Sequence, residues 1–209
     1  MTSLDEKFNI YLDMLLEANS RMNLTAIREP DAIRLRHFED SLKLLNCADF
    51  KDKKVLDLGS GAGFPGLPLK IAEPSIDLTL LDATGKKVDF LRSASAALGF
   101  PDVDCVHARA EEYAHTSARG SFDIVAIRGV AALSILCELG MPLLKIGGIL
   151  LCMKGAASEV ARCEAFGGRR EEDYSYELSD GIIHIVIIVK KITETAKLYP
   201  RSWAQIKRQ

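Results

Sequence analysis

Val55-Leu56-Asp57-Leu58-Gly59-Ser60-Gly61-Ala62-Gly63-Phe64-Pro65-Gly66 reads as a buried strand that runs into a glycine turn and then into a helix. Glycines at 59, 61 and 63 let the backbone turn sharply and meet a ligand with no Cβ in the way. Strand, glycine turn and helix in that order open a doubly wound α/β sheet, with a nucleotide-like ligand at the turn. Taken alone, Gly61-Ala62-Gly63-Phe64-Pro65-Gly66 also matches the G-x-G-x-x-G dinucleotide fingerprint.

Outward from that stretch the alternation continues. Short apolar runs predict strands at Val55 to Leu58, Asp77 to Leu81, Val103 to His107, Phe122 to Ile127, Ile149 to Met153, Tyr174 to Leu178 and Ile182 to Lys190. Helical spacing between them predicts helices near Pro65 to Ala72, Lys86 to Leu98, Ala131 to Leu139 and Glu159 to Phe166. Only Ser179-Asp180-Gly181 separates the last two strands, so the mostly parallel, Rossmann-like sheet should end in an antiparallel hairpin. Phe8, Tyr11, Leu12, Leu15 and Leu16, then Ile33, Phe38, Leu42 and Leu45, repeat at helical spacing and predict a helical N-terminal extension over residues 1–50. The expected organisation is one domain: that extension, an α/β body over 54–192, and a basic tail over 193–209.

Composition narrows the class. The 209 residues are 48% hydrophobic and 27% charged, as in an ordinary folded domain. The N-terminus lacks a basic-then-apolar leader, and the longest apolar run, Ile182 to Val189, is far short of the ~20 residues of a membrane span. Five cysteines without C-x-x-C spacing read as free thiols of a reducing cytosol, and the scattered histidines give no metal motif. A net charge of −2 excludes non-specific coating of nucleic acid, so any RNA contact needs a local patch. The chain end offers one candidate, with Lys190, Lys191, Lys197, Arg201, Lys207 and Arg208 against Glu194; a merely solvated tail fits it equally well.

Two features favour S-adenosylmethionine over a dinucleotide. Asp57, at the strand end, would repel a pyrophosphate but not a cationic sulfonium amino acid. The loop also lacks the basic and hydroxyl groups that grip phosphate, and no Gly-Lys-Ser/Thr ends it. Asp82 ends the second strand about twenty residues after the loop, where an acid accepts from ribose hydroxyls. Ala110 and Glu111 follow the third strand at the open edge of the sheet; Glu111 also suits an ordinary first helical turn. Arg128 and Lys154 follow the fourth and fifth strands over the same crevice, as cations for a polyanionic substrate or as partners for Asp57 or Asp82.

As an ordered set, several segments resemble one family, the glucose-inhibited division protein B group of bacterial small-subunit rRNA guanine-N7 methyltransferases. They are Asn23-Leu24-Thr25-Ala26-Ile27, His37 with Asp40-Ser41-Leu42, Asp57 to Gly66, Leu81-Asp82 with Gly85-Lys86-Lys87, Arg109-Ala110-Glu111-Glu112, Arg128, Lys145 with Gly147-Gly148, Lys154-Gly155, and Tyr199-Pro200-Arg201. The resemblance spans essentially the whole chain. It implies a class I S-adenosylmethionine-dependent methyltransferase acting in the cytoplasm on a guanosine of 16S rRNA in the small ribosomal subunit. It further implies that Gly59, Phe64, Ala110, Glu111 and Arg128 contact the cofactor, with Gly61 and Asp82 completing the pocket. After Arg201 the family usually continues with a Gly/Pro/Lys-rich tail, whereas this chain has Ser202-Trp203-Ala204-Gln205-Ile206.

The implied chemistry needs no general base, because guanine N7 carries no proton and attacks directly. Catalysis then comes from holding acceptor and methyl in line. N7 is out of reach in the narrow major groove of an RNA helix, so the target should be a loop or flipped-out guanosine. His37, Arg128, Lys154 and Arg201 are the expected RNA contacts, and the enzyme is expected to be monomeric. A small-molecule methyltransferase and a non-catalytic adenosylmethionine or NAD sensor are the rival readings.

Overall fold

The computed structural model describes residues 3–129, 131–155 and 161–208. Five parallel strands, β1 (Lys54–Leu58), β2 (Asp77–Asp82), β3 (Asp104–His107), β4 (Phe122–Arg128) and β5 (Leu144–Gly155), form its centre. Three more follow, β6 (Gly168–Arg170), β7 (Tyr174–Glu177) and β8 (Ile183–Lys191), and the sheet order is β3-β2-β1-β4-β5-β8-β6. β8 lies antiparallel to β5. Its other edge is shared by β7 and β6, and the turn between β7 and β8 is the expected hairpin. The order reverses between β1 and β4, the place where doubly wound sheets open a crevice at their C-terminal strand ends.

Alternation along the strands sends side chains to two cores. Val55, Leu78, Leu80, Ile124, Leu151 and Val186 face one side, and Leu56, Leu81, Val125, Leu150, Cys152 and Ile187 face the other. Both faces are covered, which is why these strands read as near-continuous apolar runs. On the first face lie α1 (Leu4–Met22), α4 (Gly66–Ala72) and α5 (Gly85–Ala97); on the second lies α7 (Leu133–Gly140).

α1 starts at a capping box in which Ser3 and Glu6 each take the other's backbone N–H, and it ends at Asn23 in the left-handed region, φ 49°. It buries Phe8, Tyr11, Leu12 and Leu15. The second half of the extension is helical as expected, but in short pieces of differing pitch. Between α2 (Pro30–Ile33) and α3 (Asp40–Leu42), Arg34–Glu39 is wound as a π-helix, and Lys43–Asn46 closes as a 3-10 turn. The widened turn brings His37, Phe38, Asp40 and Ser41 together on the buried side. The expected helix near Glu159 to Phe166 falls partly outside the described residues, and Cys163–Phe166 is a single 3-10 turn. β6 was not foreseen, being three residues without periodicity.

The tail is docked rather than solvated. The Arg119 guanidinium donates to the carbonyls of Thr195 and Tyr199, both at 2.8 Å. Arg201 meets the fully buried Glu138 carboxylate through its backbone N at 2.9 Å, Nε at 2.8 Å and a terminal nitrogen at 2.6 Å. The last helix, α8 (Trp203–Ile206), buries Ile206 completely. Of the cations expected as a patch, Lys191 is buried on the Met141 carbonyl and Arg201 is held by Glu138, while Lys190, Lys197, Lys207 and Arg208 are exposed. Among the described residues no helix is long and apolar enough to cross a membrane.

Removing the Arg201 side chain would take a guanidinium and its two hydrogen bonds from a fully buried carboxylate, whereas removing Glu138 leaves a partly exposed guanidinium within reach of water. Arg201→Ala should therefore cost roughly 3 to 5 kcal/mol in urea unfolding, and more than Glu138→Gln. The guanidinium and the Arg201 backbone hold the Glu138 carboxyl below its ordinary value. Their contribution to stability should be complete above that ordinary value and lost as the pH falls beneath it, a dependence that Glu138→Gln should abolish.

Candidate functional site

The glycine loop is held down by two carboxylates. Asp57, fully buried at the end of β1, accepts the Gly66 N–H at 2.9 Å through Oδ2. Its other oxygen is buried and accepts no hydrogen bond among the described residues. Burial pushes the Asp57 carboxyl up to about 7, against the lowering effects of the Gly66 N–H and of Arg128. Asp82, at the end of β2, accepts the Gly61 N–H at 2.9 Å with one oxygen and the Thr84 N–H at 2.8 Å with the other. Gly59 and Ser60 donate to the Leu81 carbonyl at 2.8 and 3.0 Å, which ties the turn to the neighbouring strand. From above, the Tyr11 hydroxyl donates to the Ala62 carbonyl at 2.6 Å, so α1 is the loop's roof.

Gly59, at φ +80°, has nothing within 4 Å of where a Cβ would stand. It opens on a cavity lined by Leu58, Asp82, Ala108, Ala110, Glu111, Leu139 and Trp203. The cavity encloses about 150 Å³ and opens to solvent at its mouth. Flat apolar walls sit beside two carboxylates, the combination an adenosyl group requires. Gly61 lies under this cavity's rim as a donor to Asp82 and is not among its lining residues.

A second cavity opens over β4 and β5, lined by Arg36, His37, Asp40, Arg128, Met153, Lys154 and His184. Phe64 packs behind two residues of this second cavity, His37 and Arg128. It is buried, stacked by His37 with ring centroids 4.6 Å apart, and covered by the Arg128 guanidinium 4.9 Å from its centroid. Arg128 also donates to the Arg36 carbonyl at 3.2 Å and lies 3.6 Å from Asp40. Asp40, nearly buried, accepts the Tyr176 hydroxyl at 2.6 Å and stands 3.5 Å from His184 Nδ1. Lys154 donates to the Ala131 carbonyl.

Two of the expected RNA contacts, His37 and Arg201, are engaged within the protein. His37 Nδ1 lies 3.0 Å from the Arg36 carbonyl, which only accepts, so Nδ1 carries the proton and Nε2 accepts the Thr25 hydroxyl at 2.7 Å. Burial, and then the Arg128 charge, pulls this imidazole down to about 4. His37 is thus a neutral shelf for Phe64 with both nitrogens committed. Arg201 does not line the second cavity; it clamps the tail to Glu138. Arg128 and Lys154 do meet there. The predicted cofactor residues divide, with Gly59, Asp82, Ala110 and Glu111 at the first cavity and Phe64 and Arg128 towards the second.

Sequence reasoning missed Tyr11 as loop support, the Asp40–Tyr176–His184 cluster and Trp203. The Tyr11 spacing announced a helix face but not the destination of its hydroxyl. Asp40 and Tyr176 are 136 positions apart, and no local pattern joins them.

Comparison with known proteins places this architecture. The family model described as GidB, rRNA small subunit methyltransferase G, matches residues 4–165. A ribosomal RNA small subunit methyltransferase G of Streptococcus pyogenes is 39% identical over 206 residues, covering 94% of this chain and 86% of the relative. One from Caldanaerobacter subterraneus is 41% identical over 208 residues, with 94% and 85% covered. Among solved structures, a SAM-dependent methyltransferase from Aquifex aeolicus superposes with a TM-score of 0.53 at 16% identity, covering 77% of this chain and 93% of that one, a likeness of fold. With the glycine loop, the split crevice and the relatives all in agreement, the chain belongs to the GidB family of S-adenosylmethionine-dependent rRNA small subunit methyltransferases.

Proposed function

We propose that the protein methylates N7 of one guanosine in 16S rRNA of the small ribosomal subunit, acting as a monomer on RNA presented outside a helix. The observation that carries this reading is a pair of cavities at the C-terminal strand ends: one beside β1 and β2 with apolar walls and two carboxylates, the other beside β4 and β5 lined by Arg36, Arg128 and Lys154.

The residues present fit adenosylmethionine. Gly59, Asp82, Ala110 and Glu111 would hold the adenosyl end, and the unpartnered oxygen of Asp57 is a buried acceptor suited to a cationic amino acid moiety. The cofactor supplies an electrophilic methyl on a positively charged sulfur. The protein's own contribution is placement. Arg128, pinned by Phe64, Arg36 and Asp40, presents a fixed cation in the second cavity, and Lys154 presents another there. Those charges suit phosphate groups flanking an extruded nucleotide. Asp40 and Tyr176 fix the floor on which the base would lie. No side chain has to take a proton from N7, and His37, whose nitrogens are both occupied, is not set up to do so.

The reaction is tested by transferring labelled methyl to small subunits that lack N7-methylguanosine, as intact particles and as stripped rRNA. Label mapping to a single N7-methylguanosine is expected; no label on either, with cofactor binding demonstrated, would overturn the reading. Alanine at Arg128 and Lys154 should lower kcat/KM on RNA by about tenfold or more each. Lys154→Ala should leave cofactor affinity unchanged. Turnover on RNA unaltered by both substitutions would remove them from the RNA site.

Because burial raises the Asp57 carboxyl to about 7, cofactor affinity should depend on pH. If the ionised form is the one that binds the cation, affinity should rise about tenfold between about pH 6 and about pH 8. The rise should be reduced in Asp57→Asn to whatever the cofactor's own titration gives. Parallel pH profiles for the two proteins in calorimetry would rule Asp57 out as the acceptor.

A further inference from the structure

The departure of this chain's end from the family's usual tail has a structural counterpart. α8 brings Trp203, half-buried, to the wall of the cavity that holds Asp82, Ala110 and Glu111. The ring packs only partly against the core of that side. Ile206, fully buried, anchors the helix, and Arg201 on Glu138 fixes the chain just ahead of it. The indole N–H has no hydrogen-bond partner among the described residues. The ring is instead oriented by cations, with Arg109 5.8 Å and Lys207 5.4 Å from its centroid. A large flat ring, held in place but incompletely covered, is an apolar surface waiting for a second flat partner.

Resting on the adenosylmethionine assignment of that cavity, we propose that Trp203 stacks on the adenine ring, so that the chain's C-terminal tail forms part of the cofactor site. Asp82 and Glu111 then face the ribose and the base edge, Ala108 and Ala110 offer a thin opposite wall, and the tail closes the cavity from the side of α7. Cofactor retention therefore depends on a segment outside the α/β body. Its attachment, through Arg119 and the Glu138–Arg201 pair, becomes part of cofactor binding.

Trp203 is the chain's only tryptophan, so its emission reports on this contact alone. The test titrates the whole protein with adenosine and with S-adenosylhomocysteine, following indole fluorescence and calorimetry in parallel. Both ligands should change the emission saturably, with the dissociation constant that calorimetry gives. Trp203→Ala should weaken both by about tenfold or more, as loss of a base-stacking ring does, and Trp203→Phe should restore most of the affinity. Ligand binding with silent fluorescence overturns the proposal, whatever Trp203→Ala does to affinity, as does an unchanged affinity in Trp203→Ala. If the wild-type protein binds neither ligand in calorimetry, the adenosylmethionine assignment itself has failed, and the stacking role falls with it.

Discussion

Everything at the mouth of this sheet hangs on the buried carboxylate of Asp57. A carboxylate with no exposure and one orphaned oxygen is costly to bury, and its pKa near neutrality expresses that cost. What the fold gains is a fixed loop. Asp57 holds the Gly66 N–H while Asp82 holds that of Gly61, so the turn is tied at both ends to the two strands that flank the cavity. The close approach is steric as well as polar, since a Cβ on Gly66 would stand 2.8 Å from the Asp57 carboxylate and one on Gly63 2.6 Å from the Tyr11 hydroxyl. Local strain and desolvation of this kind are expected where a loop must hold its shape before the ligand arrives.

Around that loop the chain builds walls from its two ends. α1 and the π-helical turn roof one side, placing His37 beneath Phe64 and Asp40 beside Arg128. The tail closes the other side, with α8 beside Ala110 and Glu111. The parallel sheet alone supplies strand ends; the divided crevice exists because the extension and the tail complete it. At these joins buried ionic and aromatic groups meet, as Asp40 does with Tyr176 and Glu138 with Arg201.

Much of the fold was legible because its signals are local. The parallel strands are buried on both faces and read as apolar runs, Gly59 and Gly61 sit at positive φ in the turn their sequence announced, and a three-residue loop specified the hairpin. The extension was legible as helical but not as π-wound, because a widened turn has no periodicity of its own in six residues. β6 is an edge of three residues without alternation, and its pairing comes from Lys190 and Lys191 of β8 rather than from any propensity of Gly168-Arg169-Arg170. At the site, residues at strand ends were found by position, whereas His37 and Arg201 were read by charge alone. Burial neutralised the first and Glu138 captured the second, and neither fate is written within a few residues of either.

The central claim is that the cofactor occupies the first cavity and the acceptor base the second, with the loop fixed by Asp57 and Asp82 beside them. A crystal structure of the protein with S-adenosylhomocysteine tests this directly. The account predicts the adenosyl group between Gly59, Asp82 and Glu111, with the sulfur directed towards Phe64 and Arg128 and the second cavity left open for the acceptor base. A ligand lying the other way round, or bound wholly outside the first cavity, would contradict it.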